Sequence, residues 1–423
     1  TLMEDGILIA PAPYAAPSAY YFPKMERMAE IEVLRGPSAI KAGPITTSGA
    51  INLKTKPIAD KTGGYASFQV GSNNSNKTNV NLNINEEKFA AMLNMNRSTT
   101  DGYKNLDGGG NTGFEINDFV GKFRYIPDPS ASKYQHFEVK LGLNDEVSRE
   151  TYLGLTDADF QATPHRRYAA SQKDEFKGTH EQIQLTHYIQ PNANTAIATT
   201  IYNNEFARNW YKLDKIGGTK QSAALLNATM LSQLKGDADR TSGDIDLKAN
   251  NREYDSKGIN TVVNFDKDNH QLELGLRYHK DDETRIQHKD HYNMVGGKLV
   301  LQTAGTTGDS DHKVNRATAF AGYISDSIKL GKFTVTPAVR YENIEIENVN
   351  IKSGGTQSDN STDVVMPGAS INYEIAAGNN IFAGVHKGFA AATSTSTNRN
   401  EKSINYEVGQ RFSSEKLSYQ IIG

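Results

Sequence analysis

The most constraining feature of this chain is an alternation of apolar and polar residues, interrupted by turns that are short and long in strict succession. Phe137, Val139, Leu141 and Leu143 are apolar, and Glu138, Lys140 and Gly142 between them are not. Leu272, Leu274, Leu276 and Tyr278 alternate with Gln271, Glu273, Gly275 and Arg277, and Phe333, Val335, Val339 and Tyr341 alternate with Thr334, Thr336, Arg340 and Glu342. A period of two gives a strand one apolar and one polar face. Short turns fall at Asn85–Lys88, Pro127–Ser132, Gln190–Ala193, Asp266–His270, Leu330–Lys332, Ala376–Asn380 and Ser413–Lys416. Between them the pattern predicts long loops at 98–116, 147–179, 211–256, 282–313, 348–362 and 390–402, after a brief first loop at 72–76. About 15 strands result, many near the ~9–11 residues that cross a bilayer when tilted. Tight turns at one end and long loops at the other are the asymmetry of a transmembrane β-barrel. Period two does not say whether the apolar face meets lipid or a core, and a soluble β-sandwich shares it.

Proline marks a boundary. Seven of the 13 prolines lie within residues 1–57. The division falls near Thr62-Gly63-Gly64, giving residues 1–62 and 63–423. The first residue is Thr1, which predicts a removed signal or a fragment.

Composition excludes several classes. The 423 residues include no cysteine, so a disulfide scaffold, a thiolate zinc site and a cysteine nucleophile are ruled out. Lys and Arg number 46 against 49 Asp and Glu, a near balance that argues against nucleic-acid binding. No apolar run approaches the ~18 residues of a membrane helix.

Few motifs carry chemistry. Gly108 to Gly113 matches GxGxxG in form, but the strand-like Phe114–Arg124 follows where a nucleotide site needs a helix, so it reads as a loop tip. His279, His288 and His291 lie near Asp281, Asp282, Glu283 and Asp290, a set that would suit a divalent metal or simply a solvated loop. His165-Arg166-Arg167 and Arg208 are the cationic candidates for an anionic ligand, because guanidinium forks suit carboxylates. Rim salt bridges are the competing reading, since loop 147–179 has five basic and five acidic residues and loop 211–256 has seven of each. Lys220–Leu234 is the one plausible helix, either a lid or a segment packed on the rim.

The first segment resembles the second half of the plug of a TonB-dependent outer-membrane receptor. The matching stretches are Leu2 to Ile7, Ile31-Glu32-Val33-Leu34-Arg35-Gly36-Pro37, and Gly43 through Gly49-Ala50-Ile51-Asn52-Leu53. Ala42 stands where that family has an aromatic and Ser48 where it has a glycine. Ser403 to Gly409 resembles the family's "NYELG" barrel strand, and Ala10 to Tyr14 is similar to the ferric dicitrate receptors.

The resemblance implies an all-β membrane protein: an antiparallel up-and-down barrel with part of an N-terminal plug. Residues 1–62 would be the C-terminal part of the plug and 63–423 the N-terminal part of a barrel of about 22 strands. The TonB box, the first half of the plug and about seven strands would lie outside the sequence. The implied function is active import of a ferric chelate, ferric citrate or another ferric siderophore, across the outer membrane of a Gram-negative bacterium. Implied partners are the inner-membrane TonB complex, the chelate and outer-membrane lipid. The chelate is a substrate, no cofactor or catalytic residue is expected, and a monomer is. Pro11, Pro13 and Tyr14 are candidates for the ligand-binding plug apex, with Arg166, Arg167 and Arg208 for the loops. Ile404, Tyr406 and Val408 share one face, so Glu407 would point into the lumen, where Arg35 and Glu407 are expected to latch plug to barrel. The alternatives are a receptor for a vitamin, sugar or metal, or a soluble β-sandwich binding protein.

Overall fold

The computed structural model describes residues 1–392 and 400–423, so most of the expected loop 390–402 lies outside the described residues. The first segment is a small sheet of β1 (Leu2–Glu4), β2 (Ile7–Leu8), β3 (Met28–Leu34) and β4 (Ala50–Thr55), ordered β2-β1-β4-β3, with β1 parallel to β4. Two 3₁₀ turns, Met25–Arg27 and Gly36–Lys41, flank β3.

The rest is an up-and-down meander. Its strands are β5 (Gly63–Gly71), β6 (Ser75–Asn85), β7 (Phe89–Thr100), β9 (Phe114–Tyr125), β10 (Gln135–Ser148), β12 (Glu175–Asn192), β13 (Thr195–Ile216) and β15 (Arg240–Lys267). It continues through β16 (His270–Val295), β18 (Asp311–Leu330), β19 (Phe333–Asn350), β20 (Gly355–Ala376), β21 (Asn379–Ala390), β22 (Glu401–Ser413) and β23 (Ser418–Ile422). These 15 described strands pair antiparallel with their sequence neighbours, as expected. Four short pieces, β8 (Asn105–Leu106), β11 (Arg166–Arg167), β14 (Thr219–Lys220) and β17 (Lys298–Thr303), belong to the connections. The sheet curls into a barrel in which β23 and β5 are neighbours in ring order. No residue pairing joins these two strands among the described residues, and every residue of both is exposed. They are therefore the two free edges of the sheet.

Burial decides the question that alternation left open. Leu141 and Leu143 are 45% and 51% exposed, while Lys140 and Asn144 beside them are 3% and 6% exposed. Leu274, Leu276 and Tyr278 face outward, and Arg277, His279 and Asp281 are buried inside. A soluble sandwich would bury the leucines. Here the apolar face is the outer wall and the polar face lines the lumen, the arrangement that lipid demands. The lumen is filled by the first segment: Met3, Leu8, Ala12, Tyr14 and Tyr21 pack on Phe176, Phe206, Tyr254, Ile344 and Met366 of the wall.

The short turns lie where expected. The expected loops 98–116 and 147–179 are mostly without strand, whereas those at 211–256, 282–313 and 348–362 are largely strand. β13 runs to Ile216 and β15 starts at Arg240, inside the expected loop 211–256, and the loop at 348–362 shrinks to a turn at 351–354. β15 has 28 residues, far more than a bilayer needs. A second apolar cluster stabilises these extensions. Leu213, Ile245, Leu247, Tyr292 and Met294 are covered by Leu153, Tyr168, Ala224 and Leu234 from the connections. The expected helix at Lys220–Leu234 is two short helices, Gln221–Ala224 and Ala228–Lys235, packed on this cluster. Asn227 interrupts it, its side chain accepting from Met230 N at 3.0 Å as the second helix's cap.

Candidate ligand-binding vestibule

The plug segment reaches its outward apex at Pro17–Ala19, which is exposed. Pro11, Pro13 and Tyr14 lie beneath it and are buried, so they are not the surface a ligand meets first. The backbone at Tyr14 and Ala15 is tied to the wall. Asp281 of β16 accepts from the backbone N–H groups of Tyr14 (2.8 Å) and Ala15 (2.9 Å). His279 Nε2 lies 3.1 Å from the same carboxylate, and its Nδ1 lies 2.7 Å from the Tyr202 hydroxyl.

Above the apex, register brings four cations into a row. Arg208 on β13 is directly opposite Arg252 on β15, Arg252 opposite Arg285 on β16, and Arg285 opposite Lys313 on β18. Like charges placed opposite repel. One carboxylate compensates: Glu283, fully buried, accepts from Arg252 Nη1 at 2.6 Å, Arg285 Nε at 2.9 Å and Asn315 Nδ2 at 2.7 Å. Arg208 is different. Its guanidinium lies 4.0 Å from the centre of the Tyr20 ring, next to the apex, and Nη1 donates to Asn250 O at 3.1 Å. Its Nε and Nη2 are buried and have no hydrogen-bond partner within normal geometry among the described residues. Buried donors are normally satisfied, so this pair is unspent binding capacity. Four residues further out along the strands, Lys212, Lys248 and Lys289 form a second row on β13, β15 and β16. Lys212 Nζ lies 3.4 and 3.6 Å from the ring centres of Tyr152 and Trp210. Burial, with Arg208 adding repulsion, pushes its pKa down to about 8.

The other candidates fall elsewhere. Arg166 pairs with Asp107 (2.9 Å) and Asp159 (3.4 Å), and Arg167 Nη1 donates to two backbone carbonyls. Arg166 thus makes the rim salt bridges of the competing reading, while no ion pair of Arg167 occurs among the described residues. Among the described residues no group of three His, Asp or Glu could hold a metal. His279 and His291 lie on one extended strand, about 40 Å apart at ~3.4 Å per residue. Ile404, Tyr406 and Val408 face outward, leaving Glu407 inward. Its carboxylate lies against the Gly36 backbone, where a side chain would sit. No ion pair joins Arg35 to Glu407 among the described residues, because Arg35 points to solvent.

Plug and wall are instead joined by a buried network that sequence reasoning missed. Arg27 contacts Glu4 (2.5 Å) and Asp118 of β9 (2.9 Å), and Lys140 of β10 contacts Glu4 (2.6 Å) and Asp5 (2.7 Å). A second site is Arg340, which pairs with Glu342 and donates to Lys41 O of the plug.

A family model described as TonB dependent receptor-like, beta-barrel, matches residues 52–421. The chain belongs to the TonB-dependent receptor family. Solved structures with the same fold include the ferric citrate transporter FecA in its unliganded form (21% identity, TM-score 0.76, covering 100% of this chain and 60% of that one). The siderophore receptor PiuA from Acinetobacter baumannii is similar (12%, TM-score 0.77, 100% and 64%), as is the copper transporter OprC (13%, TM-score 0.71, 99% and 63%). The receptor chain described here spans less than two thirds of those proteins.

Proposed function

We propose that this receptor imports a ferric chelate of negative charge, ferric citrate or another ferric siderophore, across the outer membrane of a Gram-negative bacterium. Residues 1–62 act as the C-terminal part of the plug and 63–423 as the N-terminal part of the barrel. The chelate settles between the plug apex and the inner wall. TonB then draws on the plug and the apex leaves its seat. No bond in the cargo is broken. The observation that supports an anionic cargo most is the row Arg208–Arg252–Arg285–Lys313, in which Arg208 Nε and Nη2 have no hydrogen-bond partner among the described residues. The proximity of Glu407 to the plug supports a latch between the plug turn at Arg35–Gly36 and the barrel, made through the turn's backbone rather than by the Arg35 charge.

The test is ligand binding to the complete receptor that contains this segment. Arg208→Ala and Arg252→Ala should each weaken ferric citrate binding by about tenfold, the size of a lost charge-assisted hydrogen bond. A neutral hydroxamate chelate should be unaffected. Unchanged ferric citrate affinity in both variants would remove the anionic-chelate reading and leave a receptor for another cargo.

A further inference from the structure

The outer wall carries an ordered charge pattern that cargo binding does not use. On β12, β13, β15 and β16 the outward side chains fall into three aligned rows. Leu185, Ile201, Ile259 and Tyr278 are directly opposite one another in register. The next row towards the outside is Ile183, Asn203, Lys257 and Lys280, and the row beyond is Glu181, Glu205, Asp255 and Asp282. Rows are two residues apart, about 7 Å along a strand. The apolar belt thus ends at a pair of opposed lysines, which marks the level of lipid headgroups in the outer leaflet.

The wall at this place is concave. A groove of about 590 Å³ runs over Ile183, Leu185, Ile201, Ile259 and Tyr278, with Lys257 and Lys280 at its upper margin. Lys257 pairs with Asp255 at 2.6 Å. Lys280 has no ion-pair partner among the described residues and leans over the Tyr278 ring at 5.8 Å. Long lysine stems can lie along apolar surface and hold their charge at the interface. The carboxylate row above repels any anion that rises past the lysines.

We infer that this groove binds a phosphorylated lipid of the outer leaflet, an acyl chain along the apolar floor and a phosphate monoester bridging Lys257 and Lys280. The complementarity is specific. An apolar floor alone takes any lipid, whereas two opposed ammonium groups with one still unpaired favour a compact multivalent anion. The site faces away from the vestibule, so its occupancy is independent of the cargo.

The experiment uses the complete receptor in phosphatidylcholine nanodiscs containing a minor fraction of phosphatidic acid or of diacylglycerol with the same chains, magnesium present throughout. Retained lipid is counted by native mass spectrometry after transfer to detergent. The receptor should keep phosphatidic acid and release diacylglycerol. The Lys257→Gln/Lys280→Gln double variant should keep about tenfold less phosphatidic acid, and Lys257→Arg/Lys280→Arg should keep it as the parent does. Ile201→Ser, which leaves both lysines in place, should lose the preference for long over short chains. Equal retention by the parent and the Gln variant, or equal retention of the two lipids by the parent, would overturn the inference. If the Gln variant does not assemble, loss of retention in the Arg variant, or an unchanged chain preference in Ile201→Ser, overturns it instead.

Discussion

Arg252 and Glu253 are adjacent in sequence and serve opposite sides of the wall. Arg252 faces the vestibule and Glu253 faces outward. The same division separates Asp282 from Glu283 and Arg285 from its neighbours. This is why the charge balance of loop 211–256 concealed the site. Counted along the chain the charges cancel; sorted by face they do not. Arg208 was legible as a single candidate because it is a guanidinium at the far end of the strand that enters loop 211–256. Its partners Arg252, Arg285 and Lys313 were not, since their alignment exists only once register is fixed. Glu283 sets the strength of the row. Glu283→Gln removes the one negative charge beneath two arginines, so it should tighten ferric citrate binding about tenfold and lower the melting temperature, by the cost of a disturbed buried pair. Titration calorimetry and thermal unfolding of the complete receptor read the two effects, and a fall in both would show that Glu283 positions the arginines rather than screening them.

At the level of elements, the membrane-crossing strands and their tight turns were readable because lipid enforces the alternation. The extensions beyond the membrane were not. Water lies on one or both sides of them, so their residues carry no apolar period and read as loop. What fixes them is distant: Leu153 and Tyr168 from one connection close over Leu213 and Leu247 from two strands. Asp174 ties the two together, accepting from Tyr152 N at 2.9 Å and Leu213 N at 3.2 Å. Burial pushes its carboxyl up to about 6. A raised pKa means that the closed connection holds the proton more tightly than the open one. Below about pH 4 both forms are protonated and the contribution is complete; it is lost as pH rises through about 6, a change of ~3 kcal/mol at most. Hydrogen exchange at the Tyr152 and Leu213 amides, corrected for intrinsic rates, should therefore show more frequent opening at neutral pH than at about pH 5. Asp174→Asn should abolish that dependence. A flat profile in the parent protein would mean the carboxyl ionises at its ordinary value.

For the whole molecule, the resemblance carried by Ile31–Pro37 and Ser403–Gly409 pointed to a plug inside a barrel, and the packing of Tyr14 and Tyr21 on the inner wall bears this out. The buried charges that join them were invisible, because Glu4, Arg27, Asp118 and Lys140 are far apart in sequence and none belongs to a motif. Removing Asp118 leaves Arg27 paired with Glu4 but cut from the wall, the loss of one buried charge-assisted bond, about 1.5–3 kcal/mol. Asp118→Ala in the complete receptor should therefore lower the force needed to extract the plug in single-molecule pulling, while a substitution of the exposed Arg35 should change it little. Equal extraction forces for Asp118→Ala and the parent would place the resistance elsewhere.

The long paired strands have a consequence for how such a protein meets its surroundings. A chamber walled by hydrogen-bonded ladders shows the outside world only its rim: turns such as Gly217–Gly218, Gly296–Gly297 and Lys352–Gly354. Gly217, Gly218, Gly296, Gly297 and Gly354 all lie at positive φ, between +54° and +73°, a backbone that glycine alone takes without strain. What such a chamber shows at these corners is thus fixed in shape by backbone, and a visitor that reads shape meets the same outline wherever the side chains around it differ.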